Sequence, residues 1–484
     1  MKNVEEEIEA AIGRLDELYQ DAVAALKSSL AQFVKTKVPP TAAQRAKFRY
    51  PQITLVYEPD GPTPISSRAY AKFNTAGTYT TSVTHPRQFA QYLREQLVPL
   101  VGEYGAKLTI EVSDQEIPYA YVVDGQNELG VGDVPPDELA RWFPTPTLDS
   151  VGDEIVDGLW DFGHDDSRPL GLYDALRVDY SLKRLMHYSG TDWQAFQPWI
   201  LFTNYARYVD EFVLWAANEI QYPDSPYYKL VCSGGVDITI DNADDAVKLV
   251  ASGNWRKYQM PAYHLLSKEG DGITLVNIGV GPSNTKNITD HLAVLRPNCW
   301  LMVGHCGGLR QSQKIGHYVL AHAYLRRDNV LDDILPLSVP IPPIAEVQIA
   351  LQNAAIKVTG EAPEALKRRL RTGTVVSFAD RNWELYWSSE RQLINMSRAI
   401  GVDMESCMVA AQGFRHRVPY GTLLCISDKP VHGEIKLPGA ANVFYERAIG
   451  EHLKIGIVTL ETMRAKEAVI HSRKLRSFDE PPFR

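Results

Sequence analysis

Four short stretches of this 484-residue sequence combine glycine with polar or ionisable side chains in ways that suit anion binding and acid–base chemistry. The first is Gly279-Val280-Gly281-Pro282-Ser283-Asn284, between an apolar run and a helical pattern. Glycines let a backbone approach a ligand closely, and the free N–H groups of a helix start attract anions. Asn284 stands where a dinucleotide fingerprint needs its third glycine, and no Gly-Lys-Ser/Thr follows as in a phosphate loop. An ordinary tight strand-to-helix turn fits the same residues. The second stretch, Gly304-His305-Cys306-Gly307-Gly308, follows the next apolar run. His305 can donate to a phosphate or a ribose hydroxyl, or it can hold a structural hydrogen bond. Metal binding by His305 and Cys306 lacks further ligands at suitable spacing.

The third stretch is Asp403-Met404-Glu405-Ser406. A carboxylate there can accept two hydrogen bonds, a geometry that suits a vicinal diol. The plainer alternative is an acidic residue favoured by the dipole at a helix start. The fourth, Ile426-Ser427-Asp428-Lys429, ends a buried type of run. Successive strand side chains alternate faces, so Asp428 can face a cleft while Lys429 points elsewhere. A capping or turn aspartate is again the alternative.

These stretches need a scaffold. Short apolar runs at Leu230–Cys232, Ile273–Ile278, Trp300–Val303, Val375–Ser377 and Thr422–Ile426 read as strands. Helical patterns alternate with them near Asp241–Ala251, Asn284–Leu295, from Asp403, and over Ala440–Met463. That alternation predicts a mostly parallel sheet covered on both faces. Ligands then sit beyond the carboxyl ends of the strands, in the loops after Ile278, Val303, Ser377 and Ile426. The apolar stretch Trp199–Ile220 carries Arg207, Asp210, Glu211 and Glu219, so it reads as a core helix and not a membrane span.

The first part of the chain has another rhythm. Glu5–Lys35 has an apolar stripe at helical spacing, ended by Pro39-Pro40. Ile53–Tyr57, Ala69–Phe73, Thr78–Val83 and Lys107–Val112 read as strands, and Pro86–Val101 as a helix. The Pro-rich segment Val134–Thr147 interrupts the pattern, which places a boundary within 135–175. The reading is an N-terminal α+β domain over 1–165 and an α/β domain over 175–484.

Composition narrows the function classes. The balance of 50 Lys and Arg against 59 Asp and Glu gives a net charge of −9, opposed to general nucleic-acid binding. Hydrophobic residues are 45% and charged residues 23%, as in soluble globular chains. The five cysteines lack C-x-x-C spacing, which predicts reduced thiols in a cytoplasmic protein. Glu5, Glu6, Glu7 and Glu9 give the N-terminus no signal-peptide character.

The four stretches, in this order over Thr274–Lys429, resemble the nucleoside phosphorylase superfamily. Within it the chain is similar to the AMP nucleosidase family. The residues that carry this likeness are Val276–Asn284, Gly304–Arg310, Ser427–Pro430, His432–Gly439 and the tail Ser472–Arg476. The resemblance implies one mixed sheet flanked by helices, commonly in a homohexamer, and an N-terminal regulatory region. It implies hydrolysis of AMP to adenine and ribose 5-phosphate. It implies no tightly bound cofactor, with ATP (and Mg) as allosteric activator and phosphate as inhibitor. Nucleic acid and membranes are not expected partners.

By the same resemblance Asp428 is the acid that protonates the departing adenine, and Glu405 holds the ribose 2′ and 3′ hydroxyls while Met404 packs on the ribose. Gly279, Gly281, His305 and Gly307 line the substrate. His305 stands where phosphorylases often show Ser, and Met302 where hexameric ones place Arg, which points away from phosphate as nucleophile. The superfamily's Gly-Asp-Pro phosphate loop is missing near Gly234-Gly235. Arg310, Lys429 and Arg473-Lys474-Arg476 are the candidates for the 5′-phosphate. Trp383, in the loop from Ser377, either stacks on the purine or fills the core. A phosphate-using nucleoside phosphorylase and a nonenzymatic nucleotide sensor are the rival readings.

Overall fold

The computed structural model describes residues 2–123, 128–160, 167–435, 442–465 and 473–484. The chain divides into two compact units, Met1–Lys183 with Arg476–Arg484, and Arg184–Leu475. The division falls inside the helix Ala175–Ser189.

The first unit is built on the helix Lys2–Thr36. Ile8, Ile12, Leu15, Tyr19, Ala22, Leu26, Leu30 and Phe33 recur every three or four residues along it, and all are buried. The stripe covers a sheet of order β3-β1-β2-β4, with β1 at Arg49–Tyr57, β2 at Gly77–Ser82, β3 at Lys107–Glu116 and β4 at Arg168–Pro169. In β1, Ile53, Leu55 and Tyr57 alternate inward. Ala69–Phe73, expected as a strand, is irregular chain. Ala71 has φ +51°, a left-handed conformation that a ladder does not accept, yet Ala71 and Phe73 are still buried in this core.

The second unit holds a ten-stranded mixed sheet of order β13-β12-β11-β14-β10-β5-β9-β8-β6-β7. Its open half comprises β5 (Trp199–Thr203), β6 (Tyr227–Cys232), β7 (Val236–Ile238), β8 (Ala262–Ser267) and β9 (Ile273–Asn277). The other half comprises β10 (Cys299–Gly308), β11 (Tyr318–Arg327), β12 (Leu370–Phe378), β13 (Gly401–Asp403) and β14 (Tyr420–Asp428). Strands β9, β5, β10 and β14 run parallel. The end of β10 also pairs with β13, Gly307 with Val402 and Gly308 with Gly401, so β13-β12-β11-β14-β10 closes into a ring.

Two expectations are corrected here. Trp199–Ile220 is not one helix: Trp199–Thr203 is a central strand and Ala206–Gln221 a helix. All five residues of that strand are buried on both faces, and such a continuous apolar run carries no period to tell strand from helix. Gly304–Gly308 is not a loop but the last part of β10. A Cβ on Gly307 would lie 3.0 Å from Val402 Cγ1 and 3.3 Å from Pro430 Cδ, so glycine lets β13 and the chain after β14 come close. Among the described residues no helix is long and apolar enough to cross a membrane.

Candidate active site

The carboxyl ends of β5, β9 and β13 bring three chain segments to one carboxylate, that of Glu405. Its side chain lies at the start of the helix Ser406–His416 and is 1% exposed. The Gly281 N–H donates to Oε1 at 2.7 Å, and Asn204 Nδ2 donates to Oε2 at 2.9 Å. Gly281 has φ +114°, a conformation that L side chains rarely adopt, and it opens the helix Pro282–Leu292. The Met404 backbone also favours the charged form, and a carboxylate's four lone-pair sites exceed these donors, which leaves acceptor capacity for an O–H donor. Two acceptors fixed in one plane are what a vicinal diol needs.

Asp403 stands beside Glu405 but does different work. It accepts from the Ser406 N–H at 3.0 Å, from the Ser406 hydroxyl and from the Ser377 hydroxyl. Ser377 in turn accepts the Cys407 N–H at 2.9 Å. The two alternatives for this stretch are thus divided between neighbours: Asp403 caps the helix and Glu405 faces the converging loops. Burial, and then the Asp403 carboxylate, push the pKa of Glu405 above the usual carboxylate range. Burial also raises Asp403, against the bonds from Ser377 and Ser406.

Asp428 ends β14 and lies in register with Gly307, which pairs with Val402 on its other side. The two carboxylate-bearing strand ends are therefore two strand spacings apart, about 10 Å. The Ser427 hydroxyl donates to Asp428 Oδ1 at 2.5 Å, and Asp428 is half-buried. Cys306, between the two sites, is held as a neutral thiol by burial and then by Asp403, Cys425 and Asp428. A neutral thiol is a poor metal ligand and nucleophile.

The other residues singled out in the sequence divide by location. Gly279, with φ +67°, donates its N–H to Asn277 Oδ1 at 3.2 Å in the same turn as Gly281. The buried His305 ring packs on Tyr205 at 4.5 Å and on Tyr208 at 5.4 Å between centroids. Trp383 is a core residue: it stacks on Phe378 at 5.4 Å and 9°, and belongs to an apolar cluster that includes Leu309 and Val402. Met404 packs against that cluster. Lys429 is buried, with its ammonium 2.5 Å from Glu434 Oε1 and 3.4 Å from Gln311 O, so its charge is engaged within its own loop. The Arg310 N–H donates to Gln313 Oε1 at 2.9 Å. Arg476, in the first unit, donates to the carbonyls of Pro481 and Phe483. Lys436–Gly439 and Ser472 lie outside the described residues.

Asn204, Asp403 and Ser377 enter the site without having been assigned a role from sequence. Asn204 was hidden by reading Trp199–Ile220 as a single helix. The available signal was Pro198 followed by five apolar or β-branched residues and then Asn-Tyr, the pattern of a short buried strand with a polar residue at its end.

The family model described as "Bacterial AMP nucleoside phosphorylase N-terminus" matches residues 10–167, and that of the "Phosphorylase superfamily" matches residues 245–448. The AMP nucleosidases of Escherichia coli (strain K12) and Escherichia coli O157:H7 are each 53% identical to the chain over 478 residues, 98% of either length. A crystal structure of AMP nucleosidase from Bacteroides thetaiotaomicron VPI-5482 is 28% identical, aligning 60% of this chain with 98% of its own at a TM-score of 0.43.

Proposed function

Because the chain belongs to the AMP nucleosidase family, we propose that this site divides the family's reaction between Glu405 and Asp428. The enzyme hydrolyses the N-glycosidic bond of AMP to adenine and ribose 5-phosphate. Adenine is a poor anionic leaving group, and the sugar becomes cation-like as the bond breaks. A proton placed on N7 lets the base depart neutral. Asp428, half-buried at the end of β14 with one oxygen tied to Ser427, is the general acid. Glu405 accepts the ribose 2′ and 3′ hydroxyls on the lone pairs that Gly281 and Asn204 leave open. In its ionised form Glu405 favours the developing cation by charge.

The glycines at 279, 281 and 307 give the nucleotide close approach to backbone, and Met404 offers it an apolar surface. His305, backed by Tyr205 and Tyr208, lines the same edge. Arg310 and Lys474 are candidates for the 5′-phosphate by charge, whereas Lys429 would first have to leave Glu434. Trp383 supports the base pocket from the core. The family likeness supports a homohexamer, a regulatory role for the N-terminal part over 1–165, activation by ATP with Mg and inhibition by phosphate. Five buried free cysteines accord with a cytoplasmic setting.

The observation that carries this reading is the buried Glu405 carboxylate, oriented by the Gly281 N–H and the Asn204 amide where the strand ends converge. The test is chromatography of products from AMP, dAMP and adenosine, with and without inorganic phosphate. Adenine and ribose 5-phosphate are expected from AMP without phosphate, and dAMP is expected to react much more slowly. A bisphosphorylated sugar, formed only with phosphate, would make the enzyme a phosphorylase. Equal rates for AMP and dAMP would remove Glu405 from the diol.

A further inference from the structure

We infer that Asn204 is a positioning residue that fixes the plane of the Glu405 carboxylate and favours its ionised form, ready to receive the sugar hydroxyls. This rests on the reading that Glu405 binds the diol. An ionised carboxylate only accepts hydrogen bonds, so the Asn204 atom at 2.9 Å from Oε2 must be the NH2 group. The orientation of the amide is thereby set. Turned over, it would place two acceptors face to face. Its other end, Oδ1, is buried and has no hydrogen-bond partner among the described residues. A Cβ on Gly304 would lie 3.2 Å from that oxygen, so glycine at 304 gives the amide room to hold this orientation.

The charge balance around Glu405 gives this single bond its weight. Asp403 opposes ionisation from β13, while the Gly281 N–H supports it from the turn after β9. On β10, Cys306 is a neutral thiol, and the His305 ring is packed between Tyr205 and Tyr208 of the segment after β5. Asp428 lies at the end of β14, two strand spacings away. Burial and Asp403 favour a protonated carboxyl, the Asn204 bond works against them, and its loss shifts the balance further toward the protonated form. A protonated oxygen offers one lone pair fewer and a hydrogen where the sugar needs an acceptor.

The experiment compares Asn204→Asp and Asn204→Ala with wild type by kcat/KM for AMP and dAMP across pH, and adds Asn204→Ala in a Glu405→Gln background. Thermal unfolding identifies any variant that does not fold, and the near-isosteric Asn204→Asp guards against that loss. The acid limb of kcat/KM for AMP should move to higher pH, by about one unit or more in Asn204→Asp, because a like charge then faces Oε2. The preference for AMP over dAMP should fall roughly tenfold in Asn204→Ala. In the Glu405→Gln background the same substitution should change little further. An acid limb that stays in place in both variants overturns the inference, as does an equal loss at every pH. If wild type and Glu405→Gln both treat AMP and dAMP alike, the diol reading has failed instead, and the limb alone decides the role of Asn204.

Discussion

Glu405→Gln should make the protein more stable and less active, with a pH dependence that identifies the cause. The carboxylate is buried beside Asp403, and its pKa in the folded chain is raised above the ordinary 4.5. A raised pKa leaves stability intact below the ordinary value and removes it as pH climbs toward the folded value. Each pH unit in that window costs at most about 1.4 kcal/mol, so from pH 5 to pH 7 the loss reaches about 3 kcal/mol. Glutamine keeps the shape and has no charge to desolvate. Its carbonyl can still accept the Gly281 N–H, and a turned Asn204 amide can accept from its NH2. For a unit as large as Arg184–Leu475 the difference corresponds to roughly 2 °C per kcal/mol, about 6 °C in all at pH 7 and little at pH 5. Meanwhile kcat/KM for AMP should fall by about 10²–10³, since an acceptor and the charge facing the sugar cation are both lost. The assay is thermal unfolding of both proteins from pH 5 to pH 8, with initial rates on the same samples. Parallel unfolding curves for variant and wild type would show that Glu405 carries no buried-charge penalty, and the account of its environment would be wrong.

Asp428→Asn should lower kcat by about 10²–10⁴ with KM for AMP nearly unchanged, because the acid acts on the departing base; equal changes in both constants would refute that role. Trp383→Ala should destabilise the protein by about 3–5 kcal/mol in denaturant unfolding, while Trp383→Phe retains most stability and the wild-type choice among purine nucleotides. A change in base preference with Trp383→Phe would place the indole on the substrate. Asp290→Ala should cost about 3–5 kcal/mol, since Asp290 binds Lys286 at 2.5 Å, Gln412 at 2.5 Å and Arg415 at 3.1 Å, and its removal takes an anionic partner from the buried Arg415 guanidinium. The same change should weaken AMP binding, because the bonds to Gln412 and Arg415 tie the helix Pro282–Leu292 to the helix Ser406–His416, which carry Gly281 and Glu405 at their starts.

The sequence disclosed the elements whose pattern has a period or a break. The stripe from Ile8 to Phe33 is visible because one helix face repeats, and the turn at Gly279–Gly281 because glycine marks positive φ. The strand Trp199–Thr203 was not visible as such, because residues buried on both faces remove the alternation that identifies a strand. With it went Asn204, whose meaning depends on a partner 201 residues away in sequence. Asp403 and Glu405 illustrate the same limit at short range. Their types and spacing suggested one acidic cluster, but only the backbone decides which carboxylate caps the helix and which turns to the loops. Lys429 was attractive as a cation near a strand end, and its engagement depends on Glu434, which meets it through a two-residue bridge.

The ring formed by β13-β12-β11-β14-β10 carries both of the carboxylates proposed for catalysis. The segments bearing Asp428 and Glu405 are stitched into one hoop with no loose margin, so their spacing resists deformation. Gly281 and Asn204 arrive from the open half of the sheet, across the seam between β10 and β5. Glu405 therefore joins the closed ring to the open half of the sheet through its two bonds.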